Sequence, residues 1–211
     1  MIPTLFIVLS LLCLFAEASP VSRGESPVDS AVVVFAILQD SPIHHGPFAA
    51  NGSSIWIGKN TASYCPPVVE ERGECPKGKD TSFWVNDRCG MNVIVPGGQQ
   101  AYVAPDGRIS YTAPHSAYIP PGSITTGFHL LPTEFDGFWK FLINSREFLA
   151  CPETPGQGPW QVIVADENSG VPGRDLTDCL KFEAFAKLVK DPVWEYLSTL
   201  GPESIVVQEY L

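Results

Sequence analysis

No run of 18 consecutive apolar residues occurs in the 211-residue chain, so no segment has the length and hydropathy of a membrane-spanning helix. Positive charge is scarce. Thirteen Lys and Arg stand against 23 Asp and Glu, a formal charge of −10, and such a chain has little with which to displace the counterions of a phosphate backbone; nucleic acid is therefore excluded as a partner. Cys-x-x-Cys and His-x-x-x-His spacings are absent, which removes the usual sequence signatures of a zinc site. The adjacent pair His44-His45 cannot chelate well unaided, because neighbouring residues of an extended segment point to opposite sides. His115 and His129 are isolated. No Gly-x-Ser-x-Gly occurs either, so a nucleophile elbow of the α/β-hydrolase kind is missing. The expectation is no cofactor, no metal and no catalytic residue.

The chain does have an apolar run from Leu5 to Ala16, broken only by Ser10 and followed by Ala16-Glu17-Ala18. That length and the small-x-small pattern predict a signal peptide over residues 1–18, cleaved before Ser19, and hence a secreted product with no membrane attachment after removal. The remaining 193 residues carry a formal charge of −9 and five cysteines: Cys65, Cys75, Cys89, Cys151 and Cys179. In an oxidising compartment these read as two disulfides and one spare thiol, and the pairing is open among fifteen possibilities.

Residues 19–30, "SPVSRGESPVDS", are rich in Ser and Pro without hydrophobic period and read as a disordered lead. A single domain is expected over 31–211. It opens with "AVVVFAIL", a continuous β-branched run of strand length that reads as a fully buried strand. Short apolar runs then recur between turn residues: "SSIWIG", "SFWV", "MNVIV", "QAYVA", "RISYT", "GFHLL", "FWKFLI", "EFLAC" and "WQVIVA". Pro105-Asp106-Gly107 marks a hairpin and Asn144-Ser145-Arg146 a second turn. With 20 prolines and 18 glycines, the pattern predicts an all-β fold, an antiparallel barrel or sandwich. One C-terminal α-helix is added near 178–190, because Phe182, Phe185, Ala186 and Val189 recur at i, i+3, i+4 and i+7 and Pro192 supplies a stop.

Two kinds of surface chemistry remain open. Asn51-Gly52-Ser53 is the one N-glycosylation sequon in the chain. Asp106, Glu134, Asp136, Glu147, Asp166 and Glu167 could formally supply the carboxylate pair of a glycosidase, which carries no local motif. Trp56, Trp84, Trp139, Trp160 and Trp194 lie in or beside apolar runs, so most are expected in the core and one or two on the surface, where an indole could stack on a sugar.

"GPFAANGSSIWIG" followed by Cys65, the "DGRISYT" hairpin, Gly127-Phe128, "FLACP", Trp160 with "VIVA", and Cys179 before an aromatic occur in an order and spacing that resembles the fungal secreted cell-wall proteins typified by the phialide protein PhiA, a group that includes secreted antigens of moulds. The likeness runs from about Val33 to Phe182. It implies a Cys151–Cys179 disulfide, with Cys65 joined to Cys75 or alternatively to Cys89, and it implies no catalytic residue. The stretches "VVEERGECPKGKD", "MNVIVPGGQQ" and "VWEYLSTLGPESIVVQEYL" depart from the family pattern. The function expected is that of a non-enzymatic structural protein of the fungal cell wall or extracellular matrix, linked to conidiation or stress protection, with wall polysaccharide or other wall components as partner. The alternatives are a secreted carbohydrate- or host-directed binding protein and, behind it, a small glycoside hydrolase.

Overall fold

A computed structural model describes residues 30–166, 171, 173 and 175–198; the expected signal peptide, nearly all of the lead and residues 199–211 lie outside the described residues. Fourteen strands and one helical turn follow in order: β1 (Ala31–Ile37), β2 (Ala49–Asn51), β3 (Ser54–Ile57), β4 (Ser63–Tyr64), α1 (Pro67–Glu70), β5 (Ser82–Asn86), β6 (Arg88–Met91), β7 (Gln100–Val103), β8 (Ile109–Tyr111), β9 (Phe128–Pro132), β10 (Phe138–Ile143), β11 (Glu147–Thr154), β12 (Gln157–Ala165), β13 (Leu180–Val189) and β14 (Glu195–Tyr196). The fold is all-β, and its strand ladders are antiparallel throughout.

Hydrogen bonding runs β1–β5–β6–β7–β8–β3–β12–β11–β13 and returns to β1. Nine antiparallel steps are an odd number, so this ring cannot close as a regular up-and-down barrel. The ring is thinnest where β3 meets β8, through one residue pair, Ser54 and Ser110. β10 and β9 extend from β13 as a flap, whose far end is fastened to the β5–β6 tip by paired backbone bonds between Asp87 and Phe128.

Aromatic side chains fill the enclosure. Phe48 packs edge-on against Phe141, Phe148 and Phe182 at 6.1–6.4 Å between ring centres, and Phe141 lies against Phe83, Phe128 and Phe148 at 5.8–6.3 Å. Those separations suit the edge-on and offset arrangements that the ring quadrupole favours. A smaller cluster of Leu149, Cys151, Ile163, Ala165 and Val171 covers the outer face of the β11–β12 hairpin, with Leu176 and Cys179 packed against it.

Three expectations are corrected. The C-terminal helix near 178–190 is absent, since residues 180–189 form the longest strand of the barrel. Both periods are present there: Phe182, Ala184 and Ala186 are buried while Lys181, Glu183 and Lys187 are exposed, which is a strand alternation. Seven consecutive residue pairs with β1, Ala31 to Val189 through Ile37 to Glu183, decide between them, because a helix would leave the β1 edge without its ladder partners. The first strand is not buried on both faces, for Val33, Phe35 and Ile37 are half-exposed. "MNVIV" leaves the ladder after Met91. The Asn92 side chain there donates to Ser82 Oγ (3.1 Å) and accepts from Trp84 Nε1 (3.0 Å), and Val93 instead forms a parallel bridge with Val193.

That bridge begins a strap. Residues 191–198 run across the barrel and are held by buried polar side chains. Tyr196 Oη accepts from Ser82 N and donates to Asp80 O, both at 3.0 Å. Gln99 Oε1 accepts from Tyr196 N (2.7 Å) while its Nε2 donates to Thr112 O and Tyr196 O. Tyr111 Oη donates to Leu197 O at 2.6 Å. Every member is satisfied, which is what makes burial of so many polar atoms tolerable.

Candidate functional site

Antiparallel register places Cys179 opposite Cys151, one step beyond the Ala150–Leu180 pair. The two are joined in a disulfide with Cα atoms 4.2 Å apart, near the separation of a non-hydrogen-bonded antiparallel pair. Cys65 is joined to Cys75 and closes the loop that carries α1. Cys89 is a free thiol, 1% exposed on β6, and burial pushes it far above the ordinary thiol range. A thiol so protonated and so covered has no nucleophilic character.

The carboxylates considered for hydrolysis are spread over separate elements. Asp106 sits in the β7–β8 turn with Arg108 Nε at 2.6 Å, Glu147 at the start of β11 with Lys181, and Asp166 just after β12 with Arg146 at 3.6 Å. Glu134 and Asp136 are exposed in the β9–β10 turn, and Glu167 lies outside the described residues. His44 and His45 stack with ring centres 3.8 Å apart, and His44 Nδ1 accepts from Leu38 N. His129 is exposed on β9. Among the described residues no group of three or more metal-binding side chains gathers.

Asn51 ends β2, its Nδ2 donating to Asn60 O at 3.1 Å, while Ser53 Oγ is bonded to Ser198 O on the strap. Trp56 and Trp139 are buried, Trp160 and Trp194 half-buried, and Trp84 is 41% exposed on β5.

Two clefts among the described residues bear on binding. The larger, about 740 Å³, has Phe48 and Ala49 in its floor and Lys59, Asn60, Thr61 and Thr81 on its walls. Several of its polar groups are engaged with the protein itself. Thr81 Oγ1 accepts from Ala50 N and shares a hydrogen with Thr61 Oγ1, and Lys59 Nζ lies 3.0 Å from Glu153 and over the Trp56 ring. The second cleft, about 610 Å³, lies between the turn before β7 and the segment after β8 and is lined by neutral side chains and His115. Sequence reading passed over it because Gly97, Gly98, Gln100 and Ser116 make no motif; only the doubled glycine hinted at an unusual backbone.

Comparison with known proteins bears on these surfaces. Over 195 residues the chain is 34% identical to an uncharacterized secreted protein of Arthroderma benhamiae, covering 88% of this chain and 95% of that protein. No solved structure matches. The family model of PhiA-like secreted proteins matches residues 32–197, nearly the whole described structure. The chain belongs to the PhiA-like secreted protein family.

Proposed function

We propose that this secreted protein is a non-enzymatic structural component of the cell wall or extracellular matrix, with wall polysaccharide or another wall component as its partner. The observation that carries this reading is the use made of the reactive side chains. Four cysteines are spent on two bridges, the fifth is sealed in the core, and three of the candidate carboxylates are held by a neighbouring cation. Chemistry of that kind supports durability outside the cell. Asn51 is the proposed glycan acceptor, and a glycan there would add solubility and protease resistance. Fractionation of producing cells tests the reading: the protein is expected in the wall fraction through washing, leaving it only in hot detergent or after glucanase. Complete recovery from the medium, with none in the wall, would overturn it.

A second reading, a secreted carbohydrate- or host-directed binding protein, is favoured by Trp84. Its indole is exposed while its Nε1 is fixed by Asn92, so a flat apolar face is presented in one orientation. Saturable binding to insoluble glucan or chitin that Trp84→Ala abolishes would select this reading.

A further inference from the structure

We propose that the cleft between the Gly97-Gly98 turn and the Thr112–Ala117 segment binds a neutral saccharide chain. The proposal rests on the wall reading and names the contact through which it would act. The charge of the lining comes first. Gly97, Gly98, Gln100, Thr112, His115 and Ser116 bring amide, hydroxyl, imidazole and backbone groups to the cleft, with no carboxylate, ammonium or guanidinium among its walls, although the half-buried Glu195 carboxylate outside the lining interacts with His115. A site of that composition favours a ligand rich in hydroxyls over an ionised one.

One polar side chain of this cleft is available. The Gln100 side-chain amide bonds to none of the described residues, although its own backbone N–H is taken by Thr112 Oγ1 at 3.0 Å. The amide thus offers two donors and an acceptor at a half-buried position. Directly beneath it the structure is rigid. Gln99, 5% exposed, is saturated by three hydrogen bonds to Thr112 and Tyr196, so the floor is fixed before any ligand arrives. Gly97 and Gly98 hold φ of +87° and +65°, and a Cβ at either would meet nothing within 4 Å. Their glycine identity serves the turn that opens the cleft.

An aromatic platform completes the arrangement. Tyr118 comes directly after the lining residue Ala117 and is 71% exposed, the most exposed large apolar side chain among the described residues. Its backbone N–H is fastened to Ser116 Oγ at 3.2 Å, which ties the rim to the lining. A saccharide pairs an apolar ring face with equatorial hydroxyls, and an exposed phenol on the residue next to the lining, together with an unengaged amide within it, offers a partner for each. The volume of about 610 Å³ is within the range of small-ligand sites.

The test uses the full secreted chain with three probes: a β-1,3-linked glucose hexamer, a β-1,4-linked N-acetylglucosamine hexamer and a mannose hexamer, each titrated calorimetrically. At least one is expected to bind, and Tyr118→Ala and Gln100→Leu are each expected to weaken it at least tenfold with an unchanged unfolding midpoint, whereas Trp84→Ala leaves it intact. Absence of binding by all three, or binding that survives both cleft substitutions, overturns the proposal. Wall retention is measured in parallel on the unaltered protein. Cleft-dependent binding without wall retention sinks the wall reading alone, and wall retention without cleft-dependent binding sinks the cleft alone.

Discussion

Tyr196 Oη lies between Ser82 N and Asp80 O, 3.0 Å from each, accepting from the first and donating to the second. One phenol thereby stitches the strap to the start of β5. Tyr196→Phe keeps the ring and removes both bonds, stranding a buried N–H, and is expected to cost about 1–3 kcal/mol. Urea denaturation with an unchanged slope would check it.

The same phenol makes the fold sensitive to alkali. Burial raises Tyr196 from its ordinary 10.0 to about 12, opposed by its bonds with Ser82, and burial moves Tyr111 and Cys89 in the same direction. The folded state then holds protons that the unfolded chain has released, so the Tyr196 contribution is complete below about pH 10 and is lost as pH rises toward about 12, with that of Cys89 starting to fall from about pH 9. Stability measured at intervals across that window should fall steadily, and the fall should be shallower in Tyr196→Phe.

Removing the two disulfides one at a time should not be equivalent. The Cys151–Cys179 bridge spans 28 residues of sequence and the Cys65–Cys75 bridge 10. Loop-closure entropy makes the longer one worth about 1 kcal/mol more, on a total of roughly 3–4 kcal/mol. Paired Cys→Ser variants compared by chemical denaturation would show the order.

Cys89 should resist alkylation in the native protein and react fully on unfolding, since it is 1% exposed and held protonated. Intact-mass measurement after iodoacetamide treatment reads this directly. A single adduct formed without denaturant would contradict the buried placement.

β13 offers a test of strand against helix. Phe182 points into the aromatic cluster at 5% exposure, whereas Phe185 is half-buried on the outer face beside Phe35. Phe182→Ala should cost about 3–5 kcal/mol and Phe185→Ala distinctly less; equal costs would fit the helical stripe that the sequence pattern suggested.

Much of the sheet was legible because turn chemistry is local. Pro105-Asp106-Gly107 makes the β7–β8 connection, with Gly107 at φ +80°, and Gly107 N donates to Ala104 O. Only a residue tolerant of that φ suits the position. Phe182 to Val189 was misread because the spacing of its apolar residues satisfies two periods at once. The cleft was invisible for a different reason: Gln100 and His115 are 15 positions apart, and only the β7–β8 pairing brings their segments together.

The amino-acid sequence by itself determined the class of fold, the places where strands turn and the likeness to the PhiA-like family, since alternation, turn residues and ordered motifs are properties of neighbours along the chain. Tertiary structure alone decided that residues 180–189 are a strand, that Cys65 meets Cys75 and not Cys89, and that a strap carrying Tyr196 seats on Gln99. Those outcomes depend on which unsatisfied backbone edges and buried polar atoms find partners far away in sequence, and local pattern carries no record of that competition.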